Sequence, residues 1–182
     1  KIKTDEVDYD KVIMKGKSDK HDRVRLFYEV FDPVYHKYKE YFVKNSYVDF
    51  NDLIIESINA LSTHGDIREY YNNKLKHILV DEFQDVNSLQ VKLLKNLLAD
   101  QNHLFCVGDD LQSIYGFRGS EVKYIIGFKE YFPESTVFKL DINYRSNDTI
   151  VKASNHVISN NKYLIQKEIK AFNEEGKLIN LY

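Results

Sequence analysis

The 182-residue sequence has a single cysteine, Cys106, which excludes an internal disulfide and leaves no cysteine cluster for a metal. No apolar run approaches the roughly 18 residues that a membrane-spanning helix needs, and the first residues lack a secretory leader pattern. A cytoplasmic, membrane-free protein is the expectation. Positive charge is not in excess either: 26 Lys and Arg stand against 28 Asp and Glu, a net charge of -2, so any contact with nucleic acid has to be local. There is no internal repeat and no low-complexity tract. No initiator methionine precedes Lys1, and the expectation is a segment of a longer polypeptide.

What is present divides into two patterns. Residues 1–22 are highly charged, with a short apolar island at Val12-Ile13-Met14, and read as a weakly structured lead-in. From Arg23 to Lys44, Val24, Phe27, Tyr28, Phe31, Val34, Tyr35, Tyr38 and Phe42 recur at helical spacing. Asp32-Pro33 interrupts them as an N-cap and first helical residue would, predicting two successive helices or one kinked helix. A further helix follows Asp49, with Phe50, Leu53, Ile54, Ser57, Ile58 and Leu61 on one stripe, and stops near Gly65.

The second pattern alternates strands with helices. Ile78-Leu79-Val80, Leu104-Phe105-Cys106-Val107 and Val137-Phe138-Lys139-Leu140 read as strands covered on both faces. Helical segments at about 87–99 and 120–131 separate them, and a helix near 148–160 leads to a last strand over Leu178–Leu181. The expected fold class is α/β, a parallel sheet flanked by helices with a helical N-terminal segment.

Asp81 and Glu82 follow Val80, so two carboxylates stand where a buried strand emerges at its C-terminal end, the usual ligand crevice of an open α/β sheet. One carboxylate there can hold Mg²⁺ through water while its neighbour polarises an attacking water. An Asp-Glu pair alone is more often simply solvated, so the surrounding string carries the weight. Val80-Asp81-Glu82-Phe83-Gln84-Asp85 resembles the Walker B element of UvrD/Rep-type superfamily 1 helicases. Gly108-Asp109-Asp110-Leu111-Gln112-Ser113-Ile114-Tyr115-Gly116-Phe117-Arg118-Gly119 resembles motif III of that family, and Asn143-Tyr144-Arg145-Ser146 its motif IV. The resemblance covers roughly residues 23–182, in family order, and Lys76 to Asp85 with the Val107-Gly108-Asp109-Asp110 opening leans towards the helicase IV branch.

The resemblance implies a partial P-loop NTPase (RecA-like) fold and an ATP-dependent DNA helicase acting with ATP and Mg²⁺, moving 3′ to 5′ on single strands and on partly duplex DNA, with DNA repair as its setting. It implies Asp81 at the metal, Glu82 activating water, Gln112 and Arg145 at the γ-phosphate and Tyr144 at the adenine. An amide can donate to a phosphate oxygen; an arginine at developing phosphate charge is worth about 10³ to 10⁵ in rate. Tyr115 and Phe117 would stack on DNA bases, at about 1 to 3 kcal/mol per base, although relatives often have tryptophan where Phe117 stands. Arg118 would tie this loop back to the acidic strand end, with Gln84 and Asp85 as further coupling residues. Asp49, in a stretch resembling the family's Asp-Phe-Asp-Asp-Leu helix start, is an accessory candidate that also fits a plain N-cap.

The phosphate loop G-x-x-x-x-G-K-[ST] does not occur in these residues. Gly16-Lys17-Ser18 imitates its end, but Lys11 stands where the first glycine belongs. By the resemblance, residues 1–65 are part of a helical insertion, 66–146 the downstream part of motor lobe 1, and 147–182 its end and the start of lobe 2. The expected partner is the remainder of a parent polypeptide carrying the loop, and without that segment an apolar sheet face and edge should lie open. Two other readings start from the same residues: a loop-less module binding nucleic acid or a partner protein without hydrolysing nucleotide, and the helicase part of a helicase-nuclease.

Overall fold

The computed structural model describes residues 8–161, 165 and 167–179. Its described N-terminus corrects the expectation of a weakly structured lead-in, since Tyr9–Lys17 form helix α1. Asp8 caps it by accepting the Lys11 N–H at 3.2 Å, and Lys15 and Lys17 suit the negative end of its dipole. Gly16 is buried against α2 (Asp22–Lys44), where a Cβ would overlap the Tyr28 ring. The Lys17 ammonium pairs with Asp32 Oδ2 at 2.5 Å, and the Tyr9 hydroxyl donates to Asp32 Oδ1 at 2.7 Å. Gly16-Lys17-Ser18 thus closes a helix pair.

The same contacts explain why α2 runs through Pro33 as one helix and the two-helix alternative is not realised. Asp32, the expected cap, has both carboxylate oxygens drawn across to α1. Along α2 the rings of Phe31, Tyr35, Tyr38 and Phe42 form a ladder, with successive centroids 5.6, 6.4 and 4.2 Å apart. Helix α3 (Phe50–Thr63) starts at Asp49 in a reciprocal capping box with Asp52. Asp49 also accepts the Tyr38 hydroxyl at 2.7 Å, so its visible work is capping and joining α2 to α3. Helix α3 stops at Thr63, close to Gly65 as expected, and Gly65 itself begins a further helix, α4 (Gly65–Lys74).

Strand β1 (His77–Val80), helix α5 (Ser88–Leu97) and strand β2 (His103–Cys106) form a parallel unit, with Leu79 beside Phe105 in the register. A capping box between Asn87 and Gln90 starts α5, and α3 lies against it through its buried Ile58 and Leu61 side. One side of this unit is core: Phe83, Val86, Val91 and Tyr124 are buried together, with Val80, Cys106 and Phe128 packed around them. Burial pushes the Cys106 thiol up to about 12, which keeps it protonated. The other side is open, contrary to strands covered on both faces: Leu79 is 74% and Phe105 61% exposed. An open apolar sheet face is also among the expectations from the sequence.

The expected helix over 120–131 is broken at Gly127 into α6 (Lys123–Ile126) and α7 (Phe128–Tyr131). Val137–Leu140 is not a strand; Phe138 and Leu140 are more than four-fifths exposed. A strand persists where a neighbouring backbone takes up its N–H and C=O groups, and no described strand lies beside these residues. The strand instead follows, as β3 (Ile142–Asn147), which crosses through α8 (Asp148–Ile158) to pair in parallel with β4 (Lys170–Asn173). Leu178 and Ile179 lie outside any strand, and the remainder of the expected Leu178–Leu181 strand falls outside the described residues. The described parallel strands are therefore two separate two-stranded sheets, each closed by its own helix.

Candidate functional site

Immediately after β1 the backbone turns sharply at Glu82, which takes φ 51° and ψ 44°, a left-handed conformation that a residue with a Cβ seldom adopts. The turn is held from both sides. The Phe83 N–H donates to the Val107 carbonyl at 2.8 Å, and Phe83 and Gln84, each 1% exposed, anchor the following residues in the interior. Asp81 and Glu82 are left facing solvent. Asp81 Oδ1 accepts the Glu82 N–H at 2.9 Å.

Gln84 is the organising side chain. Its Nε2 donates to Glu82 Oε2 at 2.7 Å and to Asp85 Oδ2 at 3.3 Å, while its Oε1 accepts the Asp109 N–H at 3.0 Å. The Ser113 hydroxyl donates to the Gln84 carbonyl at 3.3 Å. One buried amide therefore binds the acidic strand end to the loop after β2. Gly108 makes room for it, since a Cβ there would stand 2.8 Å from Gln84 Oε1 and 3.0 Å from the Phe83 nitrogen. Asp85 Oδ1 is buried without a hydrogen-bond partner among the described residues.

The loop carries the remaining candidates of its block. Gln112 is exposed and donates to Asp109 Oδ2 at 2.8 Å. Tyr115 and Phe117 project with centroids 6.1 Å apart, and Phe117 is 78% exposed. The Arg118 guanidinium lies over these rings, 5.1 and 5.5 Å from their centroids. It was expected to reach back to the acidic strand end; in this structure Gln84 makes that connection, and Arg118 stiffens the aromatic pair by cation–π contact.

Tyr144 and Arg145 stand on β3, apart from the acidic strand end, with no hydrogen bond or ion pair to it among the described residues. Asn143 Oδ1 accepts the N–H groups of Arg145 and Ser146 at 2.9 and 2.8 Å, which folds the backbone around an Asx turn and turns both side chains to the surface. The Tyr144 ring packs at 4.9 Å on Phe172 of β4. The two blocks are joined by residues to which the sequence pattern assigned no role. The Lys167 ammonium lies 2.5 Å from Asp109 Oδ1 and 3.0 Å from Asp110 Oδ1, and the Ile165 N–H donates to Asp110 Oδ2 at 2.9 Å. Burial pushes the Asp109 carboxyl up, but hydrogen bonds from Lys167 and Gln112 outweigh it and hold the group below the ordinary carboxylate value. Lys167 is held above the ordinary lysine value, its two carboxylate partners outweighing its own burial. Asp109-Asp110 was visible as an acidic doublet; nothing in the sequence pointed to Lys167, 57 residues further on.

No group of three or more His, Cys, Asp or Glu side chains that could cage a metal occurs among the described residues. A Mg²⁺ beside a nucleotide would need only one or two carboxylates from the protein. Asp81 has the right chemistry, with one oxygen free of protein partners among the described residues.

Comparison with known proteins gives a consistent family. The model for the UvrD/REP helicase N-terminal domain matches residues 3–133. The chain is 40% identical over 149 residues to the ATP-dependent DNA helicase PcrA of Staphylococcus aureus, covering 82% of this chain and 20% of that protein. It is 38% identical over 154 residues to PcrA of Bacillus subtilis, covering 85% and 21%, and 40% identical over 149 residues to PcrA of Staphylococcus epidermidis, covering 82% and 20%. The chain thus spans about a fifth of the length of these relatives. Their name is PcrA, which lends no support to the leaning towards helicase IV. No described helix is long and apolar enough to cross a membrane.

Proposed function

The chain belongs to the UvrD/Rep helicase family, and on that premise we propose that it is the water-activating and DNA-coupling side of an ATP-dependent DNA helicase. The observation that carries the reading is the left-handed turn at Glu82, fixed by a buried Gln84 that also holds the loop after β2. Backbone strain of this kind costs about 1 to 3 kcal/mol and persists where the surroundings over-determine it, which is characteristic of functional sites. Here it presents an exposed carboxylate beyond the strand end, which supports reading Glu82 as the acceptor of a proton from water.

In this reading Glu82 is the general base and Asp81 holds Mg²⁺, which would neutralise phosphate charge. Gln112, released from Asp109, contacts the γ-phosphate. Arg145 reaches the same phosphate and Tyr144 packs on the adenine, both from β3. Tyr115 and Phe117 stack on bases of single-stranded DNA, where a planar ring serves any sequence. Gln84 and Asp85, with Arg118 bracing the rings, transmit between the two ends of the loop. The phosphate loop comes from the rest of the parent polypeptide, and the open face of Leu79 and Phe105 is where that segment would sit. Residues 1–65 belong to the helical insertion, 66–146 to lobe 1, and 147–182 to its end and the start of lobe 2. Movement from 3′ to 5′, a cytoplasmic site of action and a part in DNA repair complete the proposal.

The test is Glu82→Gln in the parent protein. ATP binding is retained while hydrolysis falls by about 10² to 10⁴, the usual worth of general base catalysis. Unchanged hydrolysis, or loss of ATP binding with it, rejects Glu82 as the base. The 182-residue chain by itself turns over no ATP above background; magnesium-dependent turnover that Glu82→Gln abolishes would refute the division of the site.

A further inference from the structure

From the cluster around Lys167 we infer a further positioning residue: Lys167, with Ile165 beside it, latches the approach to β4 onto Asp109 and Asp110, so that Gln112 and the β3–β4 sheet respond to bound nucleotide together. The inference rests on the function proposed above and deepens it.

The contacts form a continuous chain. Lys167 is well buried, its side chain 14% exposed, and the Asp110 side chain that it meets is 1% exposed. Asp110 also accepts the Ile165 N–H, so both the backbone and a side chain of this segment end on one carboxylate. Asp109 is shared four ways: Oδ1 takes Lys167 and the Leu111 N–H, Oδ2 takes the Gln112 amide, and its N–H is held by Gln84, which in turn holds Glu82. Three residues after Lys167, β4 begins and pairs with the strand that carries Tyr144 and Arg145. Buried charge pairs are poor sources of stability compared with apolar packing, and their best-attested use is to fix one arrangement against another. Lys167 fits that use. When Gln112 leaves Asp109 for a phosphate, the carboxylate loses one donor and its hold on Lys167 tightens, which draws the β3–β4 unit towards the loop.

The inference is tested in the parent protein with Lys167→Met, which keeps most of the length of the side chain and removes its charge, beside Lys167→Arg. ATPase is measured with and without single-stranded DNA. We expect the stimulation by DNA to fall about tenfold, within the usual range of coupling between two sites, while the KM for ATP and the DNA-free rate move less than about twofold; Lys167→Arg recovers most of the stimulation. A merely structural role predicts a shared loss of both rates, without recovery by arginine. Stimulation unchanged in Lys167→Met overturns the inference. If Lys167→Met fails to fold, hydrogen exchange of the wild-type parent decides: a non-hydrolysable ATP analogue slows exchange at 165–170 together with 109–113, and a change confined to 109–113 rejects the latch. Glu82→Gln run in parallel separates the two failures. Its expected loss of hydrolysis beside normal coupling in Lys167→Met discards the latch alone, whereas unaffected hydrolysis discards the function on which it rests.

Discussion

Gln84→Leu tests whether the two motif blocks are physically one unit. Leucine keeps most of the side-chain volume, so the cavity contribution is small, and the loss is in polar contacts. Two groups change. Glu82 loses a donor at 2.7 Å; because Glu82 is exposed and water replaces that donor, the loss falls below the range for hydrogen bonds to charged groups, to about 1 kcal/mol. The Asp109 N–H loses its acceptor at 3.0 Å beside the buried Gln84 position, and an unsatisfied donor there costs about 1 to 3 kcal/mol. Together the loop is destabilised by about 2 to 4 kcal/mol, a factor of about 30 to 900 in the opening equilibrium. Hydrogen exchange followed by mass spectrometry reads this directly: peptides spanning 107–113 lose protection by that factor, or down to their intrinsic rate if that is reached first. Peptides from α1 and α2 do not change. Gln101→Leu, an exposed site, is the control and moves protection by less than about threefold, as surface substitutions within about 0.5 kcal/mol do. If Gln84→Leu and Gln101→Leu give the same exchange at 107–113, the bridge from Glu82 to Asp109 does not hold the loop, and the coupling argument fails with it.

Two further outcomes are expected. Phe117→Ala in the parent removes a salt-insensitive part of single-strand binding worth about 1 to 3 kcal/mol, leaving the salt-dependent phosphate contacts unchanged; a titration at several salt concentrations in which only the slope changes would contradict stacking. The Asp109–Lys167 contact sets a pH window: Asp109 is held below its ordinary value, so its contribution is complete above about pH 4 and is lost as pH falls through the lower, folded value. Lys167 is held above its ordinary value, so its contribution is complete below about pH 10 and is lost as pH rises through the higher, folded value. Urea unfolding of the wild type should therefore show an acid limb that Lys167→Met flattens, and equal acid limbs in the two proteins would refute the assignment.

The sequence by itself determined the family and the local elements whose causes are local. Walker-type residues announce themselves as consecutive strings, the Asp49 cap needs only Asp52 three residues on, and the helical stripe of α2 and the strand cores at Ile78–Val80 and Leu104–Cys106 are written in short-range spacing. The misreadings arose where the deciding partner is remote. Asp32 looks like a cap until Tyr9 and Lys17 claim its oxygens, and residues 9–17 look too charged to fold until Gly16 meets Tyr28. Val137–Leu140 has strand composition, but the ladder forms five residues later. Tertiary structure alone decided that Glu82 is lifted out by a left-handed turn, that Gln84 is the bridge to the loop, and that Lys167 closes on Asp109 and Asp110. Hydrogen bonds and buried ion pairs act over about 3 Å in space, whatever the chain separation, so a lysine 57 residues away leaves no periodicity or spacing by which it could be read.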